Sequence, residues 1–282
     1  MYEKVLFPTD FSEYTQKTLE CVGDVPGIKE IVLLHVVDAT HYSVHGWTHE
    51  KEVEDAKIRL DEQRRHLERL GLKVKWKVEV ITSGDITNDI LKIAEDEKVS
   101  LIIMNARGKG LVSGLLLGST SLDVMRHATT DVLIMRHKVA EDLQGEKHDK
   151  FCPRILSKVL YPTDFSEPAR NALSFLKSLG VQDIVLMHVV TEGETKEDIE
   201  SHVENAKNKL ETIRNAENIN ADAHIRVGDP TEEICSVAED EDVSMIVMPI
   251  RSRNWLEELL IGSTTFDVVK RAKRPVLVMR NK

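Results

Sequence analysis

Short runs of β-branched and aliphatic residues alternate along this chain with longer stretches of helical period. In the first half, the pattern predicts strands near residues 4–7, 31–37, 75–81, 101–104 and 132–135, and helices near 12–22, 50–70, 87–98 and 119–128. Ser12 is placed to cap the first helix, and Gly71 to end the second. Alternating strands and helices are typical of βαβ units, in which helices cover both faces of a parallel sheet. The pattern therefore predicts an α/β fold.

The same pattern occurs twice. The matching segments, which keep their order, are 4–13 and 158–167, 31–37 and 184–190, and 94–100 and 238–244. Self-similarity of this extent indicates a duplicated domain. We therefore predict two tandem doubly wound domains, each with a five-stranded, mostly parallel sheet and helices on both faces.

A polar segment of mixed charge, 139–157, separates the copies and contains Gly145 and Pro153, as is typical of an interdomain linker. The predicted domains are 1–138 and 158–282, each long enough to bury a core. The first copy is longer than the second between His35 and Gly84. This insertion includes the region 41–49.

Composition narrows the class of protein. Of the 282 residues, 41% are hydrophobic and 30% are charged, which is typical of a globular chain. The net charge of −10 disfavours nucleic acid as a partner, because phosphate backbones require a positive field. The apolar runs are far shorter than the roughly 18 residues of a membrane span. With no signal segment before the first strand, and with Cys21, Cys152 and Cys235 interpreted as thiols, we expect a cytoplasmic protein without a membrane partner.

Ligands of doubly wound sheets bind beyond the carboxyl ends of the strands, where the strand order reverses. The loops after the first, second and fourth strands are therefore the candidate site. The segment 104–120 carries glycines and ends at a predicted helix, so that backbone N–H groups and the helix N-terminus favour a phosphate, with added charge from Arg107 and Lys109. Neither a P-loop nor a dinucleotide fingerprint is present. A plain turn before a capped helix is the structural alternative.

The spacing of this loop resembles the ATP-binding branch of the universal stress protein family, whose motif is Gly-x2-Gly-x9-Gly-Ser/Thr after the fourth strand. This chain has Asn105-x2-Gly108-x9-Gly118-Ser119. The segments 8–12, 35–37 and 126–128 extend the resemblance, which spans nearly all of both copies. The resemblance implies a Rossmann-like fold of the adenine nucleotide alpha hydrolase type.

The resemblance also implies a nucleotide site in the first domain, with ATP, ADP or AMP as ligand and with Mg²⁺ accompanying ATP as an open alternative. Asp10 would lie beside the ribose hydroxyls, the Val36 backbone would read the adenine edge, and the glycine loop would hold the phosphates. Asn105 departs from the motif by replacing its first glycine. The implied residues are Pro8, Thr9, Asp10, Val36, Met104, Asn105, Arg107, Gly108, Lys109, Gly118, Ser119 and Thr120.

In the second domain the loop reads Pro249-x2-Ser252-x9-Gly262-Ser263, so both leading glycines are absent. The resemblance there implies a weaker site or one for a monophosphate. Its residues are Pro162, Thr163, Asp164, Val189, Met248, Arg251, Arg253, Gly262, Ser263 and Thr264.

Structural roles compete with these functional ones. In the structural alternative, the only role of Asp10 and Asp164 is to cap a helix. In the same alternative, His35 and His188 are hydrogen-bonded strand residues without a further role. His41, His45 and His49 recur at helical spacing, but Gly46 favours a solvated loop over a metal site. We assign no catalytic residue and no metal.

The leading interpretation is a regulatory protein that binds an adenine nucleotide and signals its occupancy to a protein partner. A slow ATP hydrolase or phosphotransferase is one alternative, and a nucleotide-free interaction module is another. The resemblance further implies that the last strands of the two domains pair within the chain, and it leaves a homodimer open.

Overall fold

The computed structural model describes residues 1–40, 49–106, 117–136, 138–142, 145–149, 155–181, 183–219, 221–250 and 261–280. The chain divides into two compact units, Met1–Met135 and Arg136–Lys282. Each unit contains a five-stranded parallel sheet with interleaved helices, which confirms the predicted α/β fold.

The first unit alternates strands and helices throughout. Its elements are β1 (Lys4–Pro8), α1 (Glu13–Val22), β2 (Glu30–Asp38), α2 (His49–Arg69), β3 (Lys73–Ile81), α3 (Ile86–Asp96), β4 (Leu101–Asn105), α4 (Ser119–His127) and β5 (Asp131–Met135). The strands are parallel and follow the order β3-β2-β1-β4-β5. The order therefore reverses between β1 and β4, where a doubly wound sheet opens its ligand crevice.

The second unit repeats this arrangement after a short antiparallel pair. Its elements are β6 (Lys138–Asp142), β7 (Gly145–Asp149), β8 (Lys158–Pro162), α5 (Glu167–Ser178), β9 (Asp183–Val190), α6 (Lys196–Glu217), β10 (Ala221–Val227), α7 (Pro230–Asp240), β11 (Met245–Pro249), α8 (Ser263–Arg271) and β12 (Val276–Met279). The parallel strands follow the order β10-β9-β8-β11-β12. Apart from Lys138, the pair β6 and β7 lies in the segment 139–157 that was predicted as a linker, whose mostly polar sequence gives no strand pattern.

The central strands are buried on both faces. Val5, Leu6 and Phe7 are consecutive in β1 and fully buried, and all five residues of β4 are buried as well. Because successive side chains of a strand point to opposite faces, such a run requires cover on both sides of the sheet. Continuous apolar runs rather than alternating ones are the result.

Two smaller features complete the fold. Gly71 has a positive φ of +85° just beyond α2, as predicted for a glycine that ends a helix. The distances between the cysteines in the sequence led us to expect thiols, but Cys21 is disulfide-bonded, which corrects that expectation. Cys235 is a free thiol, and Cys152 lies outside the described residues. Within the described part of the chain, no helix has the length and apolar character that a membrane span needs.

Candidate functional site

The loop after β1 is tied to the neighbouring strand β2. The Thr9 N–H donates to the Leu34 carbonyl at 2.8 Å, and the Thr9 carbonyl oxygen lies 2.7 Å from Nδ1 of His35. Because a carbonyl oxygen only accepts, Nδ1 carries the proton and Nε2 of the neutral ring is an acceptor. In the second domain, Nδ1 of His188 lies 2.8 Å from the Thr163 carbonyl.

Phe11, the residue after Asp10, has left-handed backbone with a φ of +58°, and Phe165 repeats this at +64°. Each ring stacks at 4.4 Å on the histidine of the neighbouring strand. A cation covers each ring, Arg59 at 5.4 Å in the first domain and Lys209 at 5.1 Å in the second. A bulky residue adopts positive φ only where its surroundings enforce it. The loop therefore has one imposed shape in both copies, and the sequence gives no signal for it.

Asp10 supports this loop without capping the helix. Its Oδ1 accepts from the Ser12 N–H at 3.0 Å and from the Thr15 hydroxyl at 2.6 Å, and its side chain is half-buried. Ser12 is the N-cap of α1, because its hydroxyl oxygen accepts from the Thr15 N–H. Ser166 likewise caps α5. Helix capping is thus done by the serines, and a carboxylate is placed at the crevice in addition.

Asn105 is the last residue of β4 and is buried, with 8% of its surface exposed. Its carbonyl oxygen accepts from the Ser121 hydroxyl at 2.8 Å, and the next residue, Ala106, donates to the Met135 carbonyl. The residue therefore lies in regular strand backbone, which does not require the glycine of the family motif. The hydrogen bond from Ser121 connects the end of β4 to the first turn of α4.

The N-cap of helix α4 is a glycine, Gly118. Neither its backbone angles nor its described neighbours require a glycine at this position. Gly118 has an ordinary φ of −63°, and a Cβ added there would come no closer than 3.7 Å to the Ala106 oxygen. Gly262 at the start of α8 has a φ of −61° and open space around an added Cβ. Neither glycine supplies a side-chain cap, and helix geometry leaves the first N–H groups of each helix without an acceptor inside the helix. Such a helix start is suited to an anion from outside the chain.

In the second domain a cavity of about 600 Å³ lies at the carboxyl ends of β8, β9 and β11. Of the residues predicted for this site, it is lined by Pro162, Thr163, Asp164, Val189, Met248, Gly262 and Thr264. Ser263 is described but does not line it, and Arg251 and Arg253 lie outside the described residues. Sequence reasoning missed other lining residues, among them Thr191, Pro230, Ile234, Ile250 and Thr265. They lie after strands and in the first two turns of helices and belong to no motif, so the sequence carries no signal for them.

The residues predicted for the first domain lie at the corresponding places. Those described at the ends of β1, β2 and β4 and at the start of α4 are Pro8, Thr9, Asp10, Val36, Met104, Asn105, Gly118, Ser119 and Thr120. Arg107, Gly108 and Lys109 lie outside the described residues. The described set combines a carboxylate, hydroxyl groups and helical N–H donors, which suits a ligand with hydroxyl groups at one end and negative charge at the other.

The histidines of the insertion are only partly described. His49 is the first residue of α2, with Nδ1 3.5 Å from a carboxylate oxygen of Glu52, whereas His41 and His45 lie outside the described residues. Among the residues that the structure describes, no group of three or more His, Cys, Asp or Glu side chains is arranged to hold a metal ion.

Charged side chains form ion pairs at the amino ends of the strands of the first sheet, opposite the candidate site. These pairs have a structural role. Glu97 receives Lys4 Nζ at 2.7 Å and Lys77 Nζ at 2.8 Å, and these two hydrogen-bonded ammonium groups lower the pKa of Glu97 to about 2. In the second domain, Glu241 is paired with Lys158 and His224, and its pKa is lowered chiefly by Lys158. These ion pairs connect the ends of the helices that follow β3 and β10 to the sheets. They lie at the opposite ends of the strands from the candidate site.

Comparison with known proteins agrees with this architecture. The profile of the Universal stress protein family matches residues 1–136 and 156–280. A universal stress protein of Methanocaldococcus jannaschii is 37% identical over 157 residues, which cover 45% of this chain and 97% of that protein. One from Synechocystis is 25% identical over 284 residues, covering 98% of this chain and 89% of its own length.

Among solved structures, a universal stress protein from Archaeoglobus fulgidus superposes with a TM-score of 0.71 at 29% identity, covering 99% of this chain and 96% of that one. A second, from Pseudomonas aeruginosa, gives a TM-score of 0.68 at 16% identity over 99% and 93% of the two chains, and shows the fold alone.

Proposed function

The chain belongs to the universal stress protein family, and on this premise we propose that its first domain binds an adenine nucleotide, ATP, ADP or AMP, and acts as a regulator rather than by turnover. The observation that carries the proposal is the start of α4 at Gly118. Neither its backbone angles nor its contacts with the described residues require a glycine, and among those residues no side-chain cap bonds to the helix start. A phosphate that approaches the N–H groups of the first turn accounts for the small residue.

Each part of the crevice has a proposed role. Asp10 accepts hydrogen bonds from the ribose hydroxyls, and the backbone of Val36 reads the edge of the adenine ring. The N–H groups of Ser119 and Thr120 bind phosphate oxygens, together with Arg107, Gly108 and Lys109, and Mg²⁺ accompanies ATP where it is the ligand. The half-buried position of Asp10 and the uncapped start of α4 support these assignments.

The second domain, we propose, holds a weaker site of the same kind, suited to a monophosphate. Its cavity has the volume of a small-molecule site and joins Asp164 to the start of α8 through Gly262. Pro249 stands where the first domain has Asn105, and proline offers no backbone N–H. Ser252 also stands where the first domain has Gly108, so the backbone approaches the phosphates less closely, which weakens binding without removing the pocket for the rest of the ligand.

Regulation follows from occupancy in this proposal. A bound nucleotide would join the loop after β1 to the start of α4, two segments that come from different parts of the first unit. A protein partner that contacts this edge would then sense the bound state.

Calorimetric titration of the full chain with ATP, ADP and AMP tests the proposal. We expect saturable binding with a stoichiometry of one at low concentration and a second, weaker event at higher concentration. Guanine and pyrimidine nucleotides serve as controls and should bind more weakly. Absence of binding for all three adenine nucleotides would rule out the proposal and favour an interaction module without a nucleotide.

A further inference from the structure

A relay of hydroxyl groups holds Asp10 in the first domain. The Thr15 hydroxyl oxygen lies 2.6 Å from Asp10 Oδ1 and 2.9 Å from the Ser12 hydroxyl oxygen. A carboxylate oxygen only accepts, so Thr15 gives its single proton to Asp10, and the Ser12 hydroxyl donates to Thr15. The bonds run in one direction from Ser12 through Thr15 to Asp10. Bonds arranged in this way strengthen one another, and the last is assisted by the charge of Asp10.

The second domain provides an internal comparison. Its loop repeats the serine cap, the left-handed phenylalanine and the histidine stack, but Ala169 takes the place of Thr15. Asp164 Oδ1 accepts from the Ser166 N–H at 2.9 Å, and an alanine side chain has no hydroxyl to add. Asp164 is exposed, whereas Asp10 is half-buried. The aspartate that accepts from the Thr15 hydroxyl is thus the more buried of the two.

A second exchange accompanies the first. Phe7 in β1 is replaced by Tyr161 in β8, and both side chains are buried. The Tyr161 hydroxyl donates to the Ala169 carbonyl oxygen, a bond that Phe7 cannot form. Phe7 and Tyr161 hold equivalent positions in the two domains, as do Thr15 and Ala169. A second domain changed at both positions therefore matches the first domain more closely than one changed at Ala169 alone.

We propose that Thr15 is a positioning residue that makes the first site selective for a nucleotide with ribose hydroxyls. By holding Oδ1, it fixes the carboxylate of Asp10 before the ligand arrives, so that Oδ2 is directed to the ribose. An acceptor ordered in advance loses less freedom on binding, and the gain appears only for ligands that carry the hydroxyls. This inference rests on the proposed nucleotide function of the first domain. It further assigns the second domain a lower selectivity for ribose.

The test compares ATP with 2′,3′-dideoxy-ATP on the full chain, in a background with Gly262→Asp to block the second site. In this background we expect ATP to bind more tightly than the dideoxy analogue. Thr15→Val removes the hydroxyl but keeps the branched shape, and should weaken ATP binding by about tenfold, because the Asp10 carboxylate must then be ordered when the ligand binds. Binding of the dideoxy analogue should change by less than about twofold, and Thr15→Ser should restore the preference.

Two further variants test whether the effect is specific to Thr15 and whether it can be transferred to the second domain. Thr18→Val changes another buried threonine of α1 and should leave the ratio of the two affinities unaltered. In a chain with Gly118→Asp, Tyr161→Phe together with Ala169→Thr should raise the preference of the second site for ATP over the analogue.

A normal ratio in Thr15→Val, or an equal loss for both ligands, would overturn the role of Thr15 while leaving nucleotide binding intact. A loss of the ratio in Thr18→Val would also overturn it, because general loosening of α1 would then be the cause. If the chain without a change at Thr15 binds neither nucleotide, the proposed function and the role of Thr15 fail together.

Discussion

Nδ1 of His35 lies 2.7 Å from the carbonyl oxygen of Thr9, so the last part of β2 holds the loop that follows β1. The bond requires a proton on Nδ1, and the equivalent pair in the second domain has the same geometry at 2.8 Å. Phe11 stacks on the same imidazole ring. His35 therefore orders the loop that carries Asp10, and this agrees with a hydrogen-bonded strand histidine rather than a catalytic one.

We predict that His35→Leu lowers the free energy of unfolding by about 1–2 kcal/mol, because the Thr9 carbonyl loses its donor. His35→Asn should cost less, since the asparagine amide nitrogen can take the place of Nδ1. Urea unfolding followed by circular dichroism measures both. Equal losses for the two variants would show that the donor is unimportant and that packing against Phe11 decides the cost.

Gly118→Asp should abolish nucleotide binding without harming the fold. The φ of −63° and ψ of 146° are those of an ordinary N-cap, and the added Cβ has room. An aspartate caps a helix better than glycine does, so the free energy of unfolding should stay level or rise by about 0.5 kcal/mol. The new carboxylate would occupy and repel the phosphate site. Calorimetry and thermal unfolding give the two readings, and retained ATP affinity would contradict the assignment of the site.

Gly262→Asp is the matched control for that change. Gly262 has the same helical position in the second domain and the same backbone angles within a few degrees. We expect this variant to remove only the weaker binding event and to leave the tighter one unchanged. If instead Gly262→Asp removed the tighter event, the order of affinity that we propose for the domains would be reversed.

Asp10→Asn should weaken ATP binding by about tenfold, because the amide oxygen keeps the bond from the Ser12 N–H but is a poorer acceptor for hydroxyl groups than a carboxylate. The same variant separates binding from hydrolysis. Incubation with Mg²⁺ and ATP should give the same low release of phosphate for the unchanged chain and for Asp10→Asn. Turnover that depends on Asp10 would favour the hydrolase alternative over a regulator.

Acid unfolding should reveal the ion pairs at the amino end of the first sheet. Glu97 has a pKa of about 2 in the folded protein, held down first by the hydrogen bond from Lys4 and then by that from Lys77, against 4.5 for a free glutamate. A lowered carboxyl pKa stabilises the fold above the unfolded value, and this stability is lost as the pH falls from about 4.5 to about 2.

Glu97→Gln should therefore flatten the dependence of unfolding free energy on pH in this range, by an amount on the order of 2 kcal/mol. Denaturant unfolding at a series of pH values measures the slope. Glu95→Gln, at an exposed position of the same helix, is the control and should keep the slope of the unchanged chain. An unaltered slope in Glu97→Gln would show that its ion pairs persist in the unfolded state or contribute nothing.

Burial patterns explain why so much of the architecture could be predicted. Val5, Leu6 and Phe7 form a continuous apolar run because both faces of a parallel strand are covered, and the serine at position 12 is a cap that local chemistry alone specifies. The strands β6 and β7 were not predicted because each is five residues long and mostly polar, and neither sequence alternates apolar with polar residues.

The duplicated α/β fold, and the carboxyl ends of the strands as the expected place for a ligand, followed from the sequence by itself, since periodicity and motif spacing are local properties. The individual residues proposed for that place came from the resemblance to the family. Tertiary structure alone decided the bond from Thr15 to Asp10, the left-handed backbone of Phe11 and the link between Ser121 and the end of β4. Each of these depends on the directions in which side chains and loops meet once the strands have paired. A pattern of apolar and polar positions encodes which residues are buried, but not which donor reaches which acceptor.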